Sequence, residues 1–213
     1  MSESRLMVPA LADVQVEGLT RSAFLVRSTL AAGAVYGMGA ITPFVGSAFG
    51  QKGDEGDIEI LNFALTLEFL ESEFYKRAIR DVKDLSGDVL DAAEQLLEDE
   101  DAHVTALETT IKDLGGKAVK APAFNFGDSF KSAKDFLKTA VIFEDTGVSA
   151  YNGAAPSIKS KDVLGAAGSI VQVEGRHAAL MRSFDGEQAT VGAFDMALDQ
   201  DAVLEAVQPF IKE

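Results

Sequence analysis

The chain of 213 residues contains no cysteine. Disulfides, iron–sulfur clusters, thiolate zinc sites and cysteine nucleophiles are therefore excluded. Basic residues are scarce beside acidic ones, with 19 Lys and Arg against 34 Asp and Glu, a formal net charge of -15. That balance argues against binding a phosphate backbone, which needs clustered Lys and Arg. It suits a self-repelling surface that attracts cations weakly. Few runs look like strands. Histidine occurs only twice, and each His ends a Glu-x-x-His. What is abundant is apolar side chain, at 47%, enough for one sizeable core in a chain of one-domain length.

The first 50 residues differ from the rest. Arg21 and Arg27 flank a short start, and an apolar, small-residue stretch runs from Leu30 to about Gly50. It ends Ser47-Ala48-Phe49-Gly50-Gln51, with small residues where a signal peptidase reads. The pattern resembles a twin-arginine export signal whose second Arg is Ser22. Residues 1–50 are expected to be an export-signal-like leader, which puts the mature chain in the periplasm or outside the cell. An uncleaved anchor or docking helix, or an apolar extension of a cytoplasmic protein, are the alternatives. Gly33, Gly37, Gly39 and Pro43 make a poor continuous membrane span.

Residues 51–213 read as a single all-α domain. Apolar spacing predicts helices over roughly 54–83, 88–114, 128–152 and 161–184. A shorter amphipathic segment follows at roughly 190–211. Residues 115–127, with Gly115, Gly116, Pro122 and Gly127, read as a crossover loop.

The inward stripes carry the chemistry. The first holds Leu61, Leu65, Glu68 and Tyr75, and the second holds Leu97, Glu100 and His103. Leu137, Glu144 and Tyr151 share the third, and Ile170, Glu174 and His177 the fourth. Residues three apart on a helix share a face, so each Glu-x-x-His offers a carboxylate beside an imidazole. The layout Glu, Glu-x-x-His recurs at near-equal spacing, as expected for two helix pairs related by a pseudo-two-fold axis. Four carboxylates converging in a core would repel one another, and two divalent cations would resolve the repulsion. The expected ligands are Glu68, Glu100, His103, Glu144, Glu174 and His177. Glu100 and Glu174 would bridge, Glu68 and Glu144 would be terminal, and each His would serve one metal. Mixed carboxylate and imidazole ligation suits two iron or two manganese ions, although zinc also occupies such sites.

Plainer readings exist for each piece. A lone Glu-x-x-His is usually a surface ion pair, and a bundle can satisfy a polar core by hydrogen bonds alone. Glu71 competes with Glu68 but could turn toward the helix edge. Tyr75 and Tyr151 are more often packing residues than redox residues; as candidate catalytic residues they would hydrogen-bond to the ligands or carry a transient oxidising equivalent. The acidic run Glu98-Asp99-Glu100-Asp101 reads as a solvated face apart from Glu100.

Leu61-Asn62-Phe63-Ala64-Leu65-Thr66-Leu67-Glu68, followed by Glu73-Phe74-Tyr75, resembles the first helix of ferritin-like proteins. With Phe143-Glu144-Asp145, Val173-Glu174-Gly175-Arg176-His177 and the leader, the chain resembles the exported ferritin-like domain family, which takes in the desiccation-related proteins. The resemblance covers roughly residues 54–185. It implies an up-down-down-up four-helix bundle with a long crossover, here with an extra C-terminal helix. No rubredoxin-like Cys module is present. Gly175 lies inside the second Glu-x-x-His and is expected to loosen the fourth helix.

The resemblance implies oxidation of iron by oxygen or peroxide, in stress protection. A manganese catalase-like peroxide dismutase is one alternative. A non-enzymatic stress- or desiccation-associated protein that keeps its metal for stability is another. The expected partners are metal ions with O2 or H2O2; neither nucleic acid nor a stable membrane span is expected, and self-association is left open.

Overall fold

The computed structural model describes residues 54–212. The expected leader at 1–50 lies outside them. Four long helices make the body: α1 (Glu55–Asp81), α2 (Gly87–Asp113), α3 (Ala133–Ala154) and α4 (Lys161–Phe184). A short α5 (Gln200–Val207) follows. Local chemistry sets the helix starts. The side chains of Asp54, Ser132, Ser160 and Asp199 accept hydrogen bonds from the backbone N–H of Gly56, Asp135, Val163 and Ala202, satisfying donors that a first helical turn leaves free.

α1 packs along α2, and α3 along α4; the two pairs meet through α1–α3 and α2–α4. Cross-helix contacts give the directions. Glu68 and Ser72 of α1 meet His103 and Asp101 of α2. Tyr75 and Glu68 of α1 meet Glu144 and Tyr151 of α3, respectively. α1 is thus antiparallel to both, and α4 is antiparallel to α3, since Arg182 pairs with Asp145 while Val163 packs in one cluster with Tyr151. The order is up-down-down-up, as the resemblance implies.

Two apolar clusters bracket the polar middle. One holds Leu61, Leu65, Leu107, Ile111, Leu114 and Val163. The other is aromatic, with Phe74 fully buried at ring-centroid distances of 5.3 Å to Phe126, 5.4 Å to Phe136 and 4.9 Å to Phe143. Edge-to-face and offset ring pairs of this kind add to plain area burial.

The connections depart from the expected bounds. α3 begins at Ala133, five residues later than the spacing predicts, because Ser132 is extended (φ -154°, ψ 163°) and caps it. The crossover is correspondingly longer. It is pinned by Asn62, whose side chain donates to Lys117 O and accepts from Val119 N, and by the burial of Phe124 and Phe126. α1 ends at Asp81 because Val82 leaves the helix to bury its side chain. Asp57, also buried, accepts from the backbone N–H of Lys159 and Ser160 and so ties the α3–α4 turn to α1. α4 runs unbroken through Gly175.

The amphipathic segment expected over 190–211 is helical in its second half, Gln200–Val207 as an α-helix and Gln208–Phe210 as a 3-10 turn, and not in its first. Buried Val203 and Val207 anchor the α-helix. The chain before it crosses α3 at Gly153, where a Cβ would lie 1.8 Å from Leu198 O. Only glycine allows that approach. Among the described residues, no helix is long and apolar enough to cross a membrane.

Candidate metal centre

Between the two apolar clusters lies a layer of buried charge. Glu68, Glu100, Glu144 and Glu174 are all 0% exposed, and His103 and His177 are 7% and 4% exposed. The helical periods that bury their apolar neighbours carry these groups inward with them.

Their arrangement has two-fold character. His103 Nδ1 lies 3.2 Å from Glu68 Oε2, 2.9 Å from Glu100 Oε2 and 3.0 Å from Glu174 Oε1. His177 Nδ1 lies 2.9 Å from Glu100 Oε1, 3.5 Å from Glu144 Oε2 and 4.0 Å from Glu174 Oε2. Glu100 and Glu174 thus turn one oxygen toward each imidazole. The two tyrosines cross between halves. Tyr75 of α1 donates to Glu144 Oε1 of α3, and Tyr151 of α3 donates to Glu68 Oε1 of α1, both at 2.5 Å. All six expected ligand residues are brought together, and each tyrosine hydrogen-bonds to an expected ligand, on the helix opposite its own.

Short distances here are not all hydrogen bonds. Glu100 Oε1, Glu144 Oε2, both Glu174 oxygens and His177 Nδ1 are buried without a hydrogen-bond partner, although some lie near 3 Å from one another. They crowd together without satisfying one another. A buried polar atom left so costs about 1–3 kcal/mol, which a cation among them would relieve. Two groups have ligand atoms close enough to hold an ion: Glu68, Glu100, His103 and Glu174, and Glu100, Glu144, Glu174 and His177. The residues fit a pair of metal ions that share two carboxylates.

Two further residues belong to the site: Glu71, which the sequence already set beside Glu68, and Asp99, which it did not single out. Glu71 is 2% exposed and does not turn to the helix edge. It points into the layer, against Gly147 of α3. Its position one turn past Glu68 was a visible signal, but the space it occupies is set by a glycine on another helix. Asp99 lies 3.2 Å from His177 Nε2, so it belongs to the site and not to the solvated face assigned to its acidic run. Asp101 of the same run accepts from Ser72 of α1 at 2.6 Å.

Electrostatics follow from burial. Burial, and next the charges of Glu100 and Glu68, push the Glu174 carboxyl well above its ordinary 4.5. Glu71 is raised well above it by burial and by Glu174, Glu144, Glu100 and Glu68. Burial also raises Glu68 and Glu144. Glu100 is the exception: burial would raise it, but His177 and His103 outweigh burial and lower it. Burial opposes charge on both imidazoles. Glu68 and Glu100 around His103, and Glu100 and Glu144 around His177, nevertheless hold them well above 6.5. Both phenols are raised well above 10 by burial and by the carboxylates they face, so they stay protonated donors.

These directions fix a pH dependence for the metal-free protein. The four raised carboxyls keep protons that an unfolded chain releases above 4.5. The two imidazoles keep protons released above 6.5 on unfolding. The stability these protons bring is therefore lost as pH rises through the folded-state values. Glu100 acts oppositely, but its contribution is already complete above 4.5. The melting temperature of chelator-treated protein should fall steadily from pH 5 to 8, and Glu71→Gln should flatten the fall. Metal should reverse the trend, because deprotonated ligands bind it better. A metal-free melting temperature that rises over this range would contradict these assignments.

A family model described as a ferritin-like domain matches residues 56–187. No curated protein matches the chain. The matched span runs from the first turn of α1 past the end of α4 and contains the whole buried carboxylate–imidazole layer. With that match over more than half its length, and with its up-down-down-up helices around the layer, the chain belongs to the ferritin-like domain family.

Proposed function

We propose that this is a dinuclear metal protein that oxidises ferrous iron with peroxide or oxygen. The observation that carries the reading is two buried groups of carboxylate and imidazole atoms, those of each group within 4.8 Å of one another, with five such atoms lacking a hydrogen-bond partner. Glu68, Glu100, His103 and Glu174 would hold one ion, and Glu100, Glu144, Glu174 and His177 the other, with Glu100 and Glu174 common to both. Mixed oxygen and imidazole donors suit iron or manganese. Ferrous iron is the substrate of the proposed reaction. Each of two ferrous ions gives up one electron, and peroxide takes both with two protons as its O–O bond breaks to give two waters. Side-by-side binding lets both electrons leave together, so no one-electron oxygen product is released.

The protein's part is to position and to shield. The Tyr75 and Tyr151 hydroxyls fix one oxygen of Glu144 and Glu68 and leave the other free to face a cation. The aromatic cluster around Phe74 closes one side of the layer to water. The apolar, small-residue leader supports an exported protein, and a donor set of this kind in an exported protein suits protection against oxidative or desiccation stress.

Anaerobic loading with ferrous iron, followed by stopped-flow mixing with H2O2, tests the reading. Ferric absorbance should rise in a burst that consumes one peroxide per two irons, and Glu100→Ala should abolish the burst. A rate equal to that of free ferrous iron in buffer would refute it. Oxygen evolution from peroxide by the manganese-loaded protein would identify a peroxide dismutase instead.

A further inference from the structure

The pseudo-two-fold axis pairs Glu68 with Glu144, Tyr75 with Tyr151, Glu100 with Glu174 and His103 with His177. It fails at two places. One turn past Glu68 stands Glu71, but one turn past Glu144 stands Gly147. One residue before Glu100 stands Asp99, but one residue before Glu174 stands Val173. Both exceptions favour the same side of the site.

Glu71 reaches across to α3. A Cβ on Gly147 would lie 3.0 Å from Glu71 Oε1 and 3.4 Å from Glu174 Oε2. Glu174 Oε2 is the oxygen turned toward His177. The Glu71 carboxyl group therefore occupies the space that Gly147 leaves open, one turn from Glu144, on the His177 side. Asp99 stands behind the same half, 3.2 Å from His177 Nε2. A carboxylate there fixes the ring with Nδ1 inward and makes that nitrogen a stronger donor. Among the described residues no carboxylate stands behind Nε2 of His103.

We propose that the two metal positions are unequal, and that the position at Glu144 and His177 fills first and holds its ion more tightly, with Glu71 as an additional carboxylate ligand and Asp99 as the residue that positions its imidazole. The inference rests on the dinuclear reading and adds an order of loading to it. One ion would stay resident at the tighter position while the other position takes up and releases iron.

Calorimetric titration of the full, metal-free chain with Mn(II), beside Mn(II) electron paramagnetic resonance, provides the test. Wild type should show two classes of site, one ion each, at least tenfold apart in Kd. Glu144→Gln should remove the tight class and Glu68→Gln the weak one. Glu71→Gln and Asp99→Asn should each weaken the tight class severalfold and leave the weak class in place. Gly147→Ala should weaken the tight class in the same direction as Glu71→Gln, because its methyl group would press on Glu71 Oε1 from 3.0 Å. Circular dichroism checks that every variant is folded. Two equal sites, or a tight class unmoved by Glu71→Gln and Asp99→Asn, would overturn the inference and leave the dinuclear reading standing. No binding by wild type would overturn both.

Discussion

Glu174→Gln should lower the metal content of reconstituted protein from two ions per chain to less than one. Glu174 belongs to both candidate groups, with Oε1 3.0 Å from His103 Nδ1 and Oε2 4.0 Å from His177 Nδ1. An amide offers one weak oxygen donor and no charge, so it cannot serve two cations. Glu68→Gln, which touches one group only, should still hold one ion. The thermal consequence is of opposite sign in the two states. In metal-loaded wild type, excess metal at about a thousandfold over Kd adds roughly 4 kcal/mol for each site so filled. At about 2–4 °C per kcal/mol for a chain of this size, chelator should lower the melting temperature by roughly 10 °C or more. Chelator should shift Glu174→Gln by only a small fraction of that. Without metal, the variant should melt higher than wild type, because it removes a carboxyl group strained by burial and by its neighbours Glu100 and Glu68. A variant that still bound two ions would contradict the shared role.

Phe74→Ala should cost about 3–5 kcal/mol, the largest loss expected from any single apolar truncation here. Phe74 is 0% exposed and touches rings from α1, the crossover and α3. Removing it takes the centre out of a cluster drawn from three separate segments, so no one neighbour can move to fill the gap. Tyr75, whose ring lies 5.5 Å from that of Phe74, would lose the wall that aims its hydroxyl at Glu144. Denaturant unfolding of metal-free protein measures the loss without linkage to metal. A cost below about 1 kcal/mol, typical of surface positions, would show that the aromatic cluster is not the closed cap described.

The bundle and its six inward donors were legible because both depend on local periodicity. A helix that repeats Leu61, Leu65, Glu68 and Tyr75 on one face must bury the carboxylate if it buries the leucines. The remaining features depend on distant parts of the chain. The direction taken by Glu71 is set by the missing side chain of Gly147. Asp99 looked solvated because its neighbours Glu98 and Asp101 are exposed, and only the approach of α4 brings His177 to it. The crossed tyrosines follow from the antiparallel packing of α1 on α3, which no spacing within either helix encodes. The late start of α3 turns on Ser132, a capping residue that apolar periodicity does not register. The first half of the 190–211 stretch has the apolar content of a helix but is not one, because the chain there crosses α3 where Leu198 meets Gly153 and Ser149.

Elemental mass spectrometry of protein purified from its own host, counted per chain, tests whether a pair of metal ions sits in the buried layer. A dinuclear centre should give close to two ions per chain, with iron as the element. No bound metal, even after anaerobic reconstitution with iron and with manganese, would contradict it and leave a bundle whose buried carboxyl groups are held by protons and hydrogen bonds alone.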